Sequence, residues 1–276
     1  MKKKEIKALI SLLEDDDPVV HTEIMKQIHH LGERAIPYLE EQWENTLDIS
    51  LQTRIEDVIH KLQFDQLEKR LIDWKDNEQN DLLKGMWLIA TYQYPDLSLE
   101  NVSAKLDQLY YEAWSNFKED LQPMDKVRIL NHVIFNKFKF SANTRSFHSP
   151  ANSMINQVLE SRKGNPISLC VVYMLLGQRL KMPLYGVNLP NLFILIHKEE
   201  EFSFYINVFN KGLIFSKDDI DHYLDQLKME PVDSFYEPCN NLAIIQRVLR
   251  NLMVSFKKTG DLDKLEEVEQ LLMAIT

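Results

Sequence analysis

Residues 166–177, Pro-Ile-Ser-Leu-Cys-Val-Val-Tyr-Met-Leu-Leu-Gly, read as a helix with no polar face. A helix that is apolar all round has to be enclosed by other elements. Its unbroken apolar part, Leu169 to Gly177, is about half the length that a membrane-spanning helix needs, so the enclosure has to be protein. Asn165-Pro166 supplies the start, an N-cap followed by proline at the first helical position. Three β-like stretches follow: "LYGVNLP", "NLFILIHK" and "FSFYINVFN", the last two flanking a charged hairpin tip at Glu199 to Glu201. A buried helix beside a small antiparallel sheet is therefore expected at the centre of the fold.

The rest of the chain reads as helices. Glycine is scarce, at seven residues, and apolar positions recur at helical spacing. Ile6, Leu9, Ile10, Leu12 and Leu13 mark one stripe, and Val20, Ile24, Ile28 and Leu31 another, with Asp17-Pro18 between them. Ile36 to Trp43 and then Leu51, Ile55, Val58, Ile59 and Leu62 form a second pair. Leu67, Leu71, Ile72 and Trp74, then Leu82 to Ile89, form a third. First helices thus recur at Ile6, Ile36 and Leu67, the period of stacked helical hairpins. Further on, a helix starts near Ser98, the segment around His148 is irregular, and a short helix ends at Gly164 as its C′ residue. Ser216 caps another helix, and residues 239–275 form a helical hairpin turning at Thr259-Gly260-Asp261.

Charge narrows the function. Lys plus Arg total 32 against 42 Asp plus Glu, a net charge of −10. A net acidic chain is a poor general nucleic-acid binder, because phosphate binding needs cations that displace counterions. The basic start at Lys2 to Lys4 is too short to reverse that. Residues 1–13 carry charges that interrupt any secretory signal, and two cysteines make no disulfide framework. A cytoplasmic protein without membrane or nucleic-acid partners is expected.

Four stretches resemble a known family: "LLKGMWLIATYQYPDLSLENVSAKLDQL", "NSMINQVLESRKGNPISLCVVYMLLGQRLKMPLYGVNLPNLFIL", "FYINVFNKG" and "VLRNLMVSFKKTGDLDKLEEVEQLL". They resemble bacterial transglutaminase-like proteins of the SirB type, whose domain also occurs in some F-box proteins. The "LLEDDDPVV" turn resembles a HEAT repeat, and "TGDLDKLEEVEQLL" resembles a TPR turn. The expected fold is mainly α with a small antiparallel β element. Residues 1–63 would be HEAT-like hairpins, with the third pair, 64–93, merging into a transglutaminase-like or papain-like core over 64–235. Residues 236–276 would be a TPR-like hairpin.

In such a core a cysteine at a helix N-terminus has its thiolate stabilised by the helix dipole. A histidine on a neighbouring strand takes its proton, and an Asp or Asn orients the histidine. Carried over by resemblance, the cysteine position falls at Pro166, the histidine at Leu192 and the aspartate at Asn207. Proline has no nucleophile and leucine accepts no proton. Cys170 lies on the Pro166 side of the helix but one turn inside, among apolar neighbours. Cys239 follows Pro238 and precedes a helix, where a thiolate can be stabilised. His197 is five residues beyond Leu192, on the opposite sheet face, and is expected to face solvent. His148, Asn165 and Asn191 are candidates for the rim of the old pocket. His21, Glu23, His29 and His30 read as a wet helix face rather than a metal site, and no phosphate-loop, dinucleotide or HExxH motif is present.

The expectation is a non-catalytic interaction protein with no cofactor and no metal, holding a protein or peptide partner. The alternatives are an acyl-transfer or peptide-hydrolysing enzyme that uses Cys239 or Cys170, and a regulatory subunit of a partner enzyme.

Overall fold

The structure is a computed structural model that describes residues 3–15, 17–118, 120–200 and 202–276. The chain divides into two compact units, Met1–Arg70 and Leu71–Thr276.

The first unit contains α1 (Lys3–Ser11), α2 (Pro18–Leu31), α3 (Ile36–Asn45) and most of α4 (Ile49–Asp73). Asp17 caps α2, accepting a 2.8 Å bond from the Val19 N–H, with Pro18 as the first helical residue. The apolar stripes meet in one core built from Ile10, Leu13, Ile28, Leu39, Ile55 and their neighbours. The third helical pair departs from its expected form. Residues 51–62 and 67–73 belong to one unbroken helix, α4, and not to two hairpins. Nothing between Leu62 and Leu67 can stop a helix: the segment has no glycine, no proline and no cap. The boundary between the two compact units falls within this helix, after Arg70.

In the second unit, α4 ends in one widened turn, Trp74–Glu78. Helices α5 (Leu82–Thr91), α6 (Leu99–Trp114) and α7 (Pro123–Asn131) follow. Ser98 caps α6 by accepting from the Asn101 N–H at 3.2 Å. A two-residue strand β1 (Ser141–Ala142) pairs in parallel with β2 (Lys163–Gly164), and α8 (Ile155–Ser161) lies between them in sequence. Next come the central helix α9 (Pro166–Arg179) and an antiparallel meander of β3 (Leu184–Leu189), β4 (Leu192–Lys198), β5 (Ser203–Asn207) and β6 (Leu213–Phe215). Helices α10 (Lys217–Leu227), α11 (Asn241–Thr259) and α12 (Leu262–Ala274) complete the chain.

Residue alternation assigns the two sheet faces. Val187, Leu189, Ile194, Ile196 and Tyr205 share one face, packed by Ile220 and Leu224 of α10. Phe193, Leu195 and His197 take the other face, where α9 packs. This double cover corrects the expectation for His197. It is 1% exposed, stacked on Phe204 at 4.9 Å, with Nε2 3.5 Å from Glu199. The strand has no bulge, so His197 does oppose Leu192, but no solvent-facing side of the sheet is left for it. Burial holds its imidazole below the usual histidine range.

The end of α8 also differs from expectation. Arg162, not Gly164, takes the left-handed cap conformation, at φ 58°. Gly164 serves another purpose, because a Cβ there would lie 2.5 Å from the Ser168 hydroxyl. A second close approach occurs at Gly85 of α5. A Cβ there would lie 2.7 Å from the ring of Trp74, whose side chain is fully buried and whose Nε1–H donates to the Asp81 carbonyl at 2.8 Å. Overpacking of this kind costs ~1–3 kcal/mol, against a helix-propensity gain of ~1 kcal/mol for Gly→Ala. The indole has no room to yield, so Gly85→Ala should lower stability by about 1–2 kcal/mol. A urea-unfolding midpoint that rises in the variant would refute the packing argument.

Candidate functional site

Helix α9 begins with a buried capping box. Asn165 Oδ1 accepts from the Ser168 N–H at 3.0 Å, and the Ser168 hydroxyl accepts from the Asn165 N–H at 3.0 Å. The remaining half of the Asn165 amide donates to Ser153 at 3.0 Å. Ser153 closes a short turn, Pro150–Ser153, whose Asn152 donates to the carbonyls of Ser146 and Phe147 at 2.8 and 2.9 Å. The Asn143 amide donates in turn to Asn152 Oδ1 at 2.8 Å. The irregular segment carrying Phe147 and His148 is thereby tied to the helix start.

A cleft of about 670 Å³ opens at this end of α9. Asn165, Pro166 and Ile167 form its floor, and Phe147 with His148 one wall. The β3–β4 turn brings Pro190 and Asn191, followed by Leu192 and Phe193. Asn191 holds the turn in the left-handed conformation at φ 57°, and Tyr223 donates to the Pro190 carbonyl at 2.8 Å. The facing wall is one stripe of α11: Arg247, Arg250, Asn251, Val254 and Ser255. Spacings of three and four residues place these on a single helix face.

Pro166, Leu192, His148, Asn165 and Asn191 thus surround one cleft. Asn207 does not line it. It ends β5 and accepts from the Asn210 N–H at 3.1 Å, starting a short turn. Cys170 is fully buried, and its thiol donates to the Phe193 carbonyl at 3.4 Å. Burial pushes that thiol far above its ordinary range. Cys239 sits before α11, its backbone N–H donating to the Gly186 carbonyl at 2.8 Å. The start of α11 is capped by Asn240, which accepts from the Ala243 N–H at 2.8 Å. Burial pushes the Cys239 thiol up to about 11, so the activation expected of a helix-start cysteine is reversed.

His29 and His30 are exposed, with His29 Nδ1 3.5 Å from Asp65; the side chain of His21 lies outside the described residues. No cluster of three or more His, Cys, Asp or Glu side chains able to hold a metal occurs among the described residues. In the acidic tips, Asp16 and Glu201 also lie outside them.

Arg247 and Arg250 were not singled out in the sequence. Their signal was the polar stripe of "QRVLRNLMVSF", but nothing local shows what a polar stripe will face. Arg247 donates to Asn188 Oδ1 at 2.8 Å, and burial followed by the nearby Arg250 charge lowers its pKa.

A central helix whose start meets a strand turn, beside a small antiparallel sheet, is the arrangement expected from the sequence resemblance. The sequence model of the transglutaminase-like superfamily matches residues 100–250, and the chain belongs to that superfamily. It is 31% identical over 197 residues to the UPF0162 protein of Xylella fastidiosa (strain 9a5c), covering 68% of this chain and 69% of that one. It is 27% identical over 214 residues to human F-box only protein 21, covering 67% of this chain and 34% of that one. The UPF0162 protein of Vibrio cholerae is 27% identical over 141 residues, 51% of this chain and 52% of its own length. No solved structure matches the chain. No helix among the described residues is long and apolar enough to cross a membrane.

Replacing Asn165 with Ala removes a buried acceptor and a buried donor together. The loss should be about 2–3 kcal/mol, with faster amide exchange in residues 143–153. Unchanged exchange there would show that the loop holds its shape without Asn165.

Proposed function

We propose that this chain is a non-catalytic member of the transglutaminase-like superfamily that uses the cleft at the start of α9 to hold a peptide segment of a protein partner. The observation that carries the reading is Pro166. It opens α9 at the cleft floor, where a nucleophile would profit from the helix dipole, and it has none to offer. Leu192, at the position matched to the base, lines the same cleft. Asn207, matched to the orienting acid, does not line the cleft, so the reading rests on Pro166 and Leu192 and not on all three matched positions. No cysteine, aspartate or glutamate lines the cleft. The Ser255 hydroxyl there donates back to the Asn251 carbonyl at 2.9 Å. A cleft with apolar surface and amide groups can hold a peptide segment without any chemistry at its floor. The matched stretch makes up 34% of human F-box only protein 21, so a domain of this kind also serves as one part of a longer chain, which suits an interaction module.

The enzyme alternative needs a thiolate, and both thiols point away from it. For Cys239 the sign is fixed by the raised pKa. The folded state favours the neutral thiol, so the stability gained by burying it is complete below the usual 9.0 and is lost as pH rises through about 11. Alkylation of the native chain by iodoacetamide should be slow near neutral pH, with Cys239 accelerating only towards about 11, and Cys170 should react only after unfolding. Either thiol alkylating fast as a thiolate near neutral pH would overturn the non-catalytic reading.

A further inference from the structure

We propose that the peptide held by the cleft is acidic, with its carboxylates received by Arg247 and Arg250. The inference rests on the peptide-binding reading above and adds to it the chemistry of the occupant.

The two guanidinium groups stand three residues apart on the cleft-facing stripe of α11. Among the described residues neither forms an ion pair, and the cleft has no acidic lining residue. Two other arginines of the second unit do have carboxylate partners: Arg179 pairs with Asp107 at 2.5 Å and Arg128 with Asp125 at 2.8 Å. Arg247 is also positioned. Its Nη1 is spent on the neutral amide of Asn188, which fixes the fork and leaves its other N–H groups for a ligand. A half-buried cation beside a like charge is unfavourable by itself, and a carboxylate relieves both terms at once. Arginine forks bind carboxylates through two parallel hydrogen bonds, the strongest geometry for this pair.

The rest of the cleft suits a peptide. Phe147, Leu192 and Val254 offer apolar surface, while Asn191 and Asn251 offer amide partners for a backbone. The start of α9 adds its positive end from the floor. The chain as a whole carries −10, so non-specific attraction of an anion is weak and a local pair of arginines is needed to hold one. Nucleic acid shares the anionic chemistry but is disfavoured by that same charge, since a polyanion contacts far more surface than the cleft.

The test uses the full chain and three fluorescent probes read by anisotropy: an end-blocked glutamate hexapeptide, the equivalent glutamine hexapeptide and a six-residue thymidine oligonucleotide. The glutamate peptide should bind at least about tenfold tighter than the glutamine peptide, and added salt should narrow the gap. The R247Q/R250Q double variant should lose at least about tenfold towards the glutamate peptide. Arg250→Gln, an exposed position that cannot disturb the Asn188 contact, should lose about three- to fivefold. Equal affinity for the two peptides, or a glutamate affinity unchanged in both variants, overturns the acidic assignment and leaves the peptide reading standing. If neither peptide binds, the peptide reading fails and this proposal with it. Tighter binding of the oligonucleotide than of the glutamate peptide also overturns the assignment.

Discussion

The Asn165 side chain holds three parts of the second unit together. Its carbonyl takes a backbone N–H at the start of α9, and its amide reaches Ser153 in the preceding turn. Asn165, Ser168, Ser153 and Asn152 are all buried, so none of these groups can fall back on water. Leaving one such group unpaired costs roughly 1–3 kcal/mol, which makes the set a condition of the fold and not an ornament of it. Through Asn152 the same connection reaches the carbonyl of Phe147. The helix start, the cleft floor and one cleft wall therefore share a single origin. The helix it begins has no polar face, and α8, α11 and the sheet close around it.

Reactivity along α9 is decided by one turn of helix. A side chain at its first position meets the cleft and the positive end of the dipole. One turn further in, Cys170 meets only apolar neighbours and a carbonyl that accepts its proton. The dipole falls off within that first turn, whereas desolvation grows with depth, so burial wins at Cys170. Pro166 suits the outer position as structure: its φ is pre-set for a helix and its missing N–H is one that the helix would leave unpaired anyway. Cys239 shows that being near a helix start is not enough. Asn240 takes the cap, a strand carbonyl takes the Cys239 N–H, and the thiol is left partly buried, where desolvation outweighs the helix start.

Local physics was legible in the sequence where a feature is decided by neighbours in the chain. The Asn165-Pro166 start, the Ser216 cap with its Asp219 partner and the stripes of the first unit all appear where their residue types put them. The β-like stretches at Leu184, Leu192 and Ser203 form adjacent strands, joined by a short β6 that the sequence reading did not include. The unbroken α4 departs from the repeat period because its sequence holds no terminator. His197 departs from a solvent-facing position because alternation fixes which face a residue takes but not what covers that face. At Gly164 the structure uses the lack of a side chain and not conformational freedom. No local signal shows what Arg247 and Arg250 face, since the wall they form is completed by a turn some sixty residues earlier in the chain.

Those two arginines also bear on why the cleft persists. A core selected for stability alone would pair Arg247 with a carboxylate or replace it with a neutral side chain. Here its hydrogen-bond partner is an amide, the neighbouring Arg250 charge is of like sign, and burial already lowers the affinity of the group for its own proton. Local rules are broken in this way where a binding site offsets the cost when it is filled. On the proposed reading the floor and the cationic wall are complementary. Pro166 and Leu192 keep the shape of the cleft floor, and Arg247 and Arg250 of α11 supply charge on the facing wall. The positive end of α9, which would stabilise a thiolate placed at its first position, would equally favour a carboxylate held by the proposed arginine pair.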